Sequence, residues 1–405
     1  MRKLRGRLRE LLPGPLRDSY HRFALRRDFG IDRAKGRRPA TRMDPALPPG
    51  LNVIGYFASA SGVGQSARSL AAAAELRGVP VARVEASAAG DRRGPPAPYD
   101  INLFHVNADG AAGVVEELGP RQHAGRANVG FWYWEAESFP AKWADRFDYF
   151  DEIWVATDYC RGAIERVSPI PVEKVPPAVT MNPDAGVRRH ADLPAGFLFG
   201  TVFDALSVPE RKNPLGTIRA FCRAFGPSEE AALLVHCSNA EKVPGLMAQM
   251  REAGSEGRVA FSCETLGRPA LEALLASCDA YVSLHRAEGF GFPIAEVMAL
   301  GKPVVATDYS GSADFLDETT GFPVRWRPYE LPCAVRDYER GTLWADPDEE
   351  HAAALLRRVV KDRAEAARRA EAARRRIAEL YHPQVVGERV AVRLAALRAR
   401  LRKRL

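Results

Sequence analysis

The feature of this 405-residue sequence that most restricts its fold is an alternation of short apolar runs with helix-forming segments, and the alternation starts twice. The first series predicts strands at 51–57, 79–84, 101–106, 127–132, 153–156 and 172–175. The second series predicts strands at 197–202, 232–237, 259–261, 280–284 and 303–307. Strands that alternate with helices form a parallel sheet with helices on both faces. The sequence therefore predicts an α/β fold of two doubly wound, Rossmann-like domains, with a ligand cleft between them at the carboxyl ends of the strands.

The pattern divides the chain into four predicted segments. Residues 1–49 form a basic extension, because residues 1–42 hold fourteen Lys and Arg against four Asp and Glu, while the whole chain has a net charge of +7. Residues 50–190 form the first Rossmann-like domain and residues 191–375 the second, and a basic helix at 376–405 crosses back towards the first. The chain after the extension carries a net negative charge, so a nucleic-acid partner is not expected.

The first residues also bear on where the protein acts. No apolar run reaches the roughly 18 residues that span a bilayer, and a secretory signal is not recognisable, which predicts a cytoplasmic protein. One apolar stripe of a short helix is formed by Met1, Leu4, Leu8 and Leu11. A stripe of this kind among arginines is typical of a peripheral anchor on an anionic membrane surface. The alternatives are a solvated tail, or a tail that packs on the face formed by Leu394, Leu397 and Leu401.

The most specific motif is H-R-A-E-G-F-G-F-P-I-A-E-V-M-A-L-G-K-P-V-V-A-T-D-Y-S-G at residues 285–311. A Gly-rich turn follows a predicted strand, and Pro293 suits the first position of a helix. Gly289 and Gly291 allow backbone N–H groups to approach a ligand, and the start of a helix suits a phosphate. Glu288 in the turn and Glu296 in the first helical turn can face one ligand and accept hydrogen bonds from pairs of sugar hydroxyls. The alternative is that Glu296 is only a favourable charge at a helix start.

This segment resembles the E-x7-E donor site of the retaining, family-4-type glycosyltransferases of group 1, which have the GT-B fold. The resemblance implies that Glu288 contacts the donor hexose, that Glu296 holds the ribose, and that the turn Gly289-Phe290-Gly291 lies at the donor. It also implies transfer of a hexosyl group from a nucleoside diphosphate sugar to a hydroxyl, with retention and without a cofactor or metal. The expected partners are this donor and a saccharide or lipid-linked acceptor, in polysaccharide or glycolipid assembly.

A second motif, S-x-x-x-R-K-N-P at residues 207–214, is similar to the diphosphate-binding element of the same family. Arg211 and Lys212 are its cations. Fixed cations at this place stabilise the negative charge that accumulates on a leaving diphosphate. An Arg-Lys pair by itself is more often a solvated surface, but this pair follows the first predicted strand of the second domain, which favours a functional role.

The Gly-rich segment S-A-S-G-V-G-Q-S-A-R at residues 59–68 follows the first strand and precedes a helix predicted at 65–76. Through Gly62 and Gly64 it matches the Gly-rich loop of the family, which places it at the donor. An NAD-binding protein would use a similar loop, with Glu85 at the end of the second strand as the ribose ligand. That alternative leaves the two motifs of the second domain unexplained.

Two further segments of the first domain carry polar or aromatic side chains towards the cleft. In L-F-H-V-N-A-D-G, residues 103–110, the candidates for catalysis are His105, Asn107 and Asp109. The alternative is a core histidine hydrogen-bonded to backbone. In F-W-Y-W-E-A-E-S-F-P, residues 131–140, the candidates for the acceptor side are Trp132, Trp134 and Glu135. An aromatic run is more often packing, and that alternative stays open.

The sequence does not favour a metal or redox centre. Its six cysteines never form a C-x-x-C pair, so reduced thiols are expected. Asp346-Pro347-Asp348 has the D-x-D form of a metal site, but it precedes a long predicted helix, where Asp is a good N-cap.

Other functions stay open. A nucleotide-sugar epimerase or a sugar phosphorylase could use the same fold, although no lysine stands out as the cofactor carrier of a glycogen-type phosphorylase. A non-catalytic nucleotide-sugar-binding subunit is disfavoured, because both glutamates and both cations of the two motifs are present together.

Overall fold

The chain forms two parallel sheets in a computed structural model that describes residues 23, 27–30, 43–86, 96–182 and 194–402. The apolar stripe predicted for the N-terminal extension lies outside the described residues, as do residues 183–193 of the predicted connection between the domains. None of the described helices combines the length and the apolar character needed to cross a membrane.

The first sheet is built from residues 51–174. Its strands are β1 Leu51–Gly55, β2 Val81–Glu85, β3 Ile101–His105, β4 Ala127–Trp132, β5 Glu152–Val155 and β6 Val172–Lys174. Its helices are α1 Gly62–Leu76, α2 Ala108–Leu118, α3 Pro120–His123 and α4 Asp158–Glu165, with a 3-10 helix at Ala141–Tyr149. The strands pair in parallel in the order β2-β1-β3-β4-β5-β6. All six predicted strands are confirmed. The central strands β1, β3, β4 and β5 are buried along their whole length, and such strands appear in a sequence as largely apolar runs.

The second sheet repeats this plan. Its strands are β7 Phe197–Asp204, β8 Ala231–Ser238, β9 Val259–Ser262, β10 Ala280–Ser283, β11 Val304–Thr307 and β12 Phe322–Val324. Its helices are α5 Pro209–Lys212, α6 Pro214–Ala224, α7 Leu246–Ala253, α8 Arg268–Ser277 and α9 Phe292–Ala299, with 3-10 turns at Ala205–Ser207, Ala240–Lys242 and Ser310–Asp314. The parallel order is β12-β11-β10-β7-β8-β9. The five predicted strands are confirmed, and β12 is a three-residue addition at the edge.

An antiparallel hairpin that the sequence did not predict follows β12. It consists of β13 Trp326–Glu330 and β14 Leu343–Pro347. Asp346 in β14 forms an ion pair with Arg327 across the hairpin at 2.9 Å. Asp348 caps the next helix by accepting the backbone N–H of His351 at 2.9 Å, which confirms its prediction as an N-cap.

Three helices close the chain: α10 Glu349–Lys361, α11 Arg363–Tyr381 and α12 Pro383–Arg402. The single helix predicted for 376–405 is interrupted at His382, because Pro383 disfavours a helical conformation in the residue before it. α12 returns to the first sheet and packs on α1. The approach is so close that a side chain at Gly387 would bring its first carbon within 2.1 Å of the Ala73 carbonyl oxygen. Arg398 of α12 also binds Asp100 at 2.7 Å.

The leucine face of α12 is therefore already covered. Leu394, Leu397 and Leu401 are buried in one core with Leu70 and Ala74 of α1.

Candidate active site

The turn that carries Glu288 connects β10 to α9 at the carboxyl end of the second sheet. Gly291 has a φ of +87°, a left-handed conformation that favours glycine. It precedes the first residue of α9, and no described side chain caps that helix. The N–H groups of its first turn are thus suited to an external anion, as at other phosphate-binding helix starts. Pro293 is the second residue of the helix, one position later than predicted.

Residues of the first domain contact this turn. The carbonyl oxygen of Gly289 accepts a hydrogen bond from Thr157 Oγ1 at 2.9 Å. A side chain at Gly289 would bring its first carbon within 3.0 Å of the Tyr133 ring. The side chain of Phe290 points into the core, against Phe315, so only its backbone is available to a donor.

Arg211 and Lys212 end α5, the short helix that follows β7, and both bind Glu288. Lys212 Nζ lies 2.5 Å from Glu288 Oε1, and an Arg211 guanidinium nitrogen donates to Oε2 at 3.2 Å. Arg211 also donates to the carbonyl oxygens of Ala287 and Ser207 at 2.7 and 3.1 Å, which fixes its guanidinium plane. Burial would raise the pKa of Glu288, but Lys212 and Arg211 outweigh it and hold that pKa at about 2. The structure thus brings the two predicted cations and the predicted hexose carboxylate into one buried cluster.

Glu135 brings the first domain into this cluster. Its Oε1 lies 3.8 Å from Arg211, and its Oε2 accepts a hydrogen bond from Tyr338 at 2.7 Å. Trp344 of β14 donates to the backbone carbonyl of Glu135 at 2.8 Å. Arg211 therefore lies between two carboxylates, one from each domain. Burial lowers the pKa of Arg211, but Glu135 and Glu288 raise it above its usual value.

The aromatic residues next to Glu135 are packed. The ring of Trp134 stacks on Tyr338, with centroids 4.9 Å apart, and meets Trp143 edge-on at 5.2 Å. Trp134 is 5% exposed and Trp132 is fully buried. Both rings are thus packed against other side chains, as the alternative interpretation expects. A sugar could stack on Trp134 only if the loop between β13 and β14, which carries Tyr338, moved away.

Glu296 is the fifth residue of α9, one position later than predicted and just beyond the first turn, so it is not a charge at the helix start. Its side chain is buried, and its Oε1 accepts a hydrogen bond from Arg268 at 2.5 Å. Burial raises the pKa of Glu296 to about 6, and Arg268 offsets only part of that effect. Glu296 and Glu288 both act electrostatically on Tyr281, the buried tyrosine of β10.

Arg268 is the site residue that the sequence analysis missed. It is the first residue of α8, where a cation opposes the helix dipole. Such an unfavourable position is a local signal that the cation has a partner elsewhere in the fold.

The remaining candidates of the first domain are His105, Asn107 and Asp109, and the first two are linked to Tyr133 by hydrogen bonds. His105 is fully buried, and its Nε2 lies 2.8 Å from Ser66 Oγ, which is itself 2.6 Å from the Tyr133 hydroxyl. Burial lowers the pKa of His105 to about 3, so the imidazole is neutral. Asn107 Oδ1 accepts the backbone N–H of Tyr133 at 2.9 Å. Burial raises the pKa of Asp109 in the first turn of α2, and the carboxylates of Asp337 and Glu135 add to it.

The Gly-rich loop lies where it was predicted, and α1 begins at Gly62 rather than at residue 65. A side chain at Gly64 would lie within 2.6 Å of two backbone carbonyl oxygens, whereas the space beside Gly62 is open. Glu85 Oε2 accepts the backbone N–H of Ala58 at 2.9 Å. The carboxylate that an NAD site would use for ribose thus helps to hold the loop.

No group of three or more His, Cys, Asp or Glu side chains that could hold a metal ion occurs in the part of the chain that the structure describes.

Two six-stranded parallel sheets that face each other, with the cation cluster and the carboxylates at the carboxyl edge of the second, define a two-domain α/β protein with the GT-B fold. Residues 205–362 match the model of the family described as glycosyl transferases group 1. This segment contains the cluster of Arg211, Lys212 and Glu288. No curated protein sequence matches the chain.

Solved structures with the same fold cover most of the chain. Sucrose-phosphate synthase from Thermosynechococcus elongatus is 16% identical, with a TM-score of 0.64 over 87% of this chain and 100% of that chain. HepE from Anabaena in complex with UDP and glucose is 15% identical, with a TM-score of 0.62 over 86% of this chain and 100% of that one. A glycosyltransferase from Rickettsia africae ESF-5 is 11% identical, with a TM-score of 0.61 over 86% and 98%. At these identities the likeness concerns the fold.

Proposed function

We propose that this protein transfers a hexosyl group from a nucleoside diphosphate sugar to a hydroxyl of a saccharide or lipid-linked acceptor. The anomeric configuration is retained, and no metal ion is required. The observation that carries the proposal is the buried cluster of Arg211, Lys212 and Glu288 beside the start of α9. A diphosphate needs the cations and the helix start, and a hexose needs the ionised carboxylate.

The cations act on the leaving group. Breaking the bond between the anomeric carbon and the phosphate oxygen leaves additional negative charge on the diphosphate. Arg211 and Lys212 are held in place before the donor arrives, so they stabilise this charge without reorganisation. Their effect is large because the site is buried and charges interact more strongly there than in water. In this proposal the two cations and the helix start do the work that a divalent ion does in other transferases.

The carboxylates bind the two sugars of the donor. With a pKa near 2, Glu288 is ionised throughout the physiological range and can only accept hydrogen bonds, which suits hexose hydroxyls. Glu296 is the candidate for the ribose. HepE, which has the same fold, is described in complex with UDP-glucose. Uridine diphosphate sugars are therefore the first donors to test.

A panel of nucleotide sugars tests the proposal by thermal shift. A ligand at about 100 times its Kd stabilises a protein by about 2.7 kcal/mol, which is readily measured. The stabilising donor is then incubated with glycan and lipid-linked acceptors, and the anomeric configuration of the product is read by NMR. No stabilisation by any nucleotide sugar rejects the proposal.

The rival functions give different products in the same assay. An altered nucleotide sugar without acceptor identifies an epimerase, and a sugar phosphate formed from inorganic phosphate identifies a phosphorylase. Binding without turnover across the acceptor panel identifies a non-catalytic subunit. An inverted product keeps the transferase and rejects retention.

A further inference from the structure

Glu296 is held by a cation that does not belong to the diphosphate clamp, the name used here for the pair Arg211 and Lys212 that we propose to bind the diphosphate. The guanidinium of Arg268 binds Glu296 Oε1 at 2.5 Å and Glu272 Oε1 at 2.6 Å. A third contact runs to the carbonyl oxygen of Thr180, at 3.1 Å, in the connection between the two domains. Three different elements therefore fix Arg268 in one position, on α8, on α9 and at the domain connection.

Within its own helix Arg268 is balanced only by Glu272, one turn later. Arg268 is the first residue of α8, whose first turn contains no acidic residue to balance it, and a cation at a helix start opposes the dipole. The position does, however, allow Arg268 to form an ion pair with Glu296, which is only 3% exposed. A carboxylate buried to this degree without a cation takes up a proton instead of staying ionised.

We propose that Arg268 is a positioning residue of the nucleotide site, which keeps Glu296 ionised and oriented so that its carboxylate accepts hydrogen bonds from the ribose hydroxyls. This inference rests on the proposed function, because it requires a ribonucleotide donor. Among the described residues only Oε1 of Glu296 has a hydrogen-bond partner, Arg268. The ion pair therefore leaves Oε2 for a ligand.

The charged groups around Glu296 set the pH at which this arrangement works. On α8, Arg268 lowers the pKa of Glu296 and Glu272 raises it, while burial raises it most, to about 6. Glu296 also acts electrostatically on Tyr281 of β10, and Arg268 acts on Arg68 of α1. Without Arg268, burial and Glu272 act unopposed, so Glu296 becomes protonated at higher pH. A protonated carboxyl accepts fewer hydrogen bonds, so ribose recognition weakens as the pH falls.

The test measures the preference for ribose over deoxyribose. ADP, CDP, GDP and UDP are compared by calorimetry with their 2′-deoxy counterparts on the wild type, Arg268→Gln and Arg268→Lys. Loss of a hydrogen bond to a charged group lowers affinity about ten- to over a hundredfold, and we expect this preference for the ribonucleotide in the wild type. Arg268→Gln keeps a hydrogen-bond donor on a shorter side chain and loses the charge. It should lose most of the preference at pH 7 and recover part of it at pH 9, whereas Arg268→Lys should keep it.

Arg358→Ala is the matched control, because Arg358 binds another largely buried carboxylate of the second domain, Glu365, at 2.6 Å. It should leave the preference unchanged, and thermal unfolding confirms that each variant is folded. An undiminished preference in Arg268→Gln, or tighter nucleotide binding by that variant, overturns the inference while the proposed function stands. If the wild type binds nucleoside diphosphates without a preference for ribose, this inference is overturned but the proposed function stands. A wild type that binds none of them overturns the proposed function and this inference together.

Discussion

Replacement of Lys212 by alanine probes the diphosphate clamp directly, because Glu288 is its ion-pair partner among the described residues, at 2.5 Å. Arg211 is a poorer probe, since it is 5% exposed and also holds the carbonyl oxygens of Ala287 and Ser207. After Lys212→Ala, Glu288 keeps Arg211 at 3.2 Å, so no buried carboxylate is left without a cation. In the proposed complex with the donor, the variant loses one charge-assisted hydrogen bond to a phosphate, about 1.5–3 kcal/mol. This corresponds to roughly a ten- to over a hundredfold rise in Kd.

Calorimetry should compare a nucleoside diphosphate with the nucleoside alone. We expect Lys212→Ala to lose affinity for the diphosphate by that factor and to keep its affinity for the nucleoside, because in the proposed complex Lys212 contacts the phosphates and not the nucleoside. Lys142→Ala is the control, since its ion pair with Asp337 at 2.9 Å is exposed and such pairs contribute about 0–1 kcal/mol. A diphosphate Kd within about twofold of the wild type, or an equal loss for the nucleoside, would refute the clamp.

The remaining predictions concern the carboxylates, the metal and the membrane. Glu296→Gln should weaken binding of the free nucleotide, whereas Glu288→Gln should mainly lower the transfer rate with the intact donor. Equal effects of the two variants on binding of the free nucleotide would contradict these separate roles. Because burial raises the pKa of Glu296 to about 6, nucleotide affinity should fall as the pH drops through that value. The same fall in Glu296→Gln would assign it to another group. A chelator should leave activity nearly unchanged, and an absolute requirement for manganese or magnesium would restore Asp346 and Asp348 as candidate ligands. At low salt, anionic liposomes should sediment the full chain but not a chain that starts at Leu51, since each cation near the surface contributes about 1 kcal/mol; sedimentation of both or of neither would exclude the extension as the anchor.

Most of the two sheets could be predicted because their strands are buried on both faces. β3 and β8 are mostly apolar and almost wholly buried, and such local patterns do not depend on distant residues. The hairpin could not be found in this way. β13 is mostly exposed and has the sequence W-R-P-Y-E, so it has no apolar run and is defined by its pairing with β14.

The sequence by itself determined the fold class and the set formed by Arg211, Lys212 and Glu288. Each of these residues lies in the connection that follows a strand of the second sheet, and parallel strands bring their carboxyl ends to one edge. Only the tertiary structure decided that Arg268 neutralises Glu296 and that Glu135 of the first domain reaches Arg211. These contacts join elements that are distant in sequence, so they depend on how helices pack on a sheet and how the two sheets face each other. No periodicity or local spacing encodes that geometry.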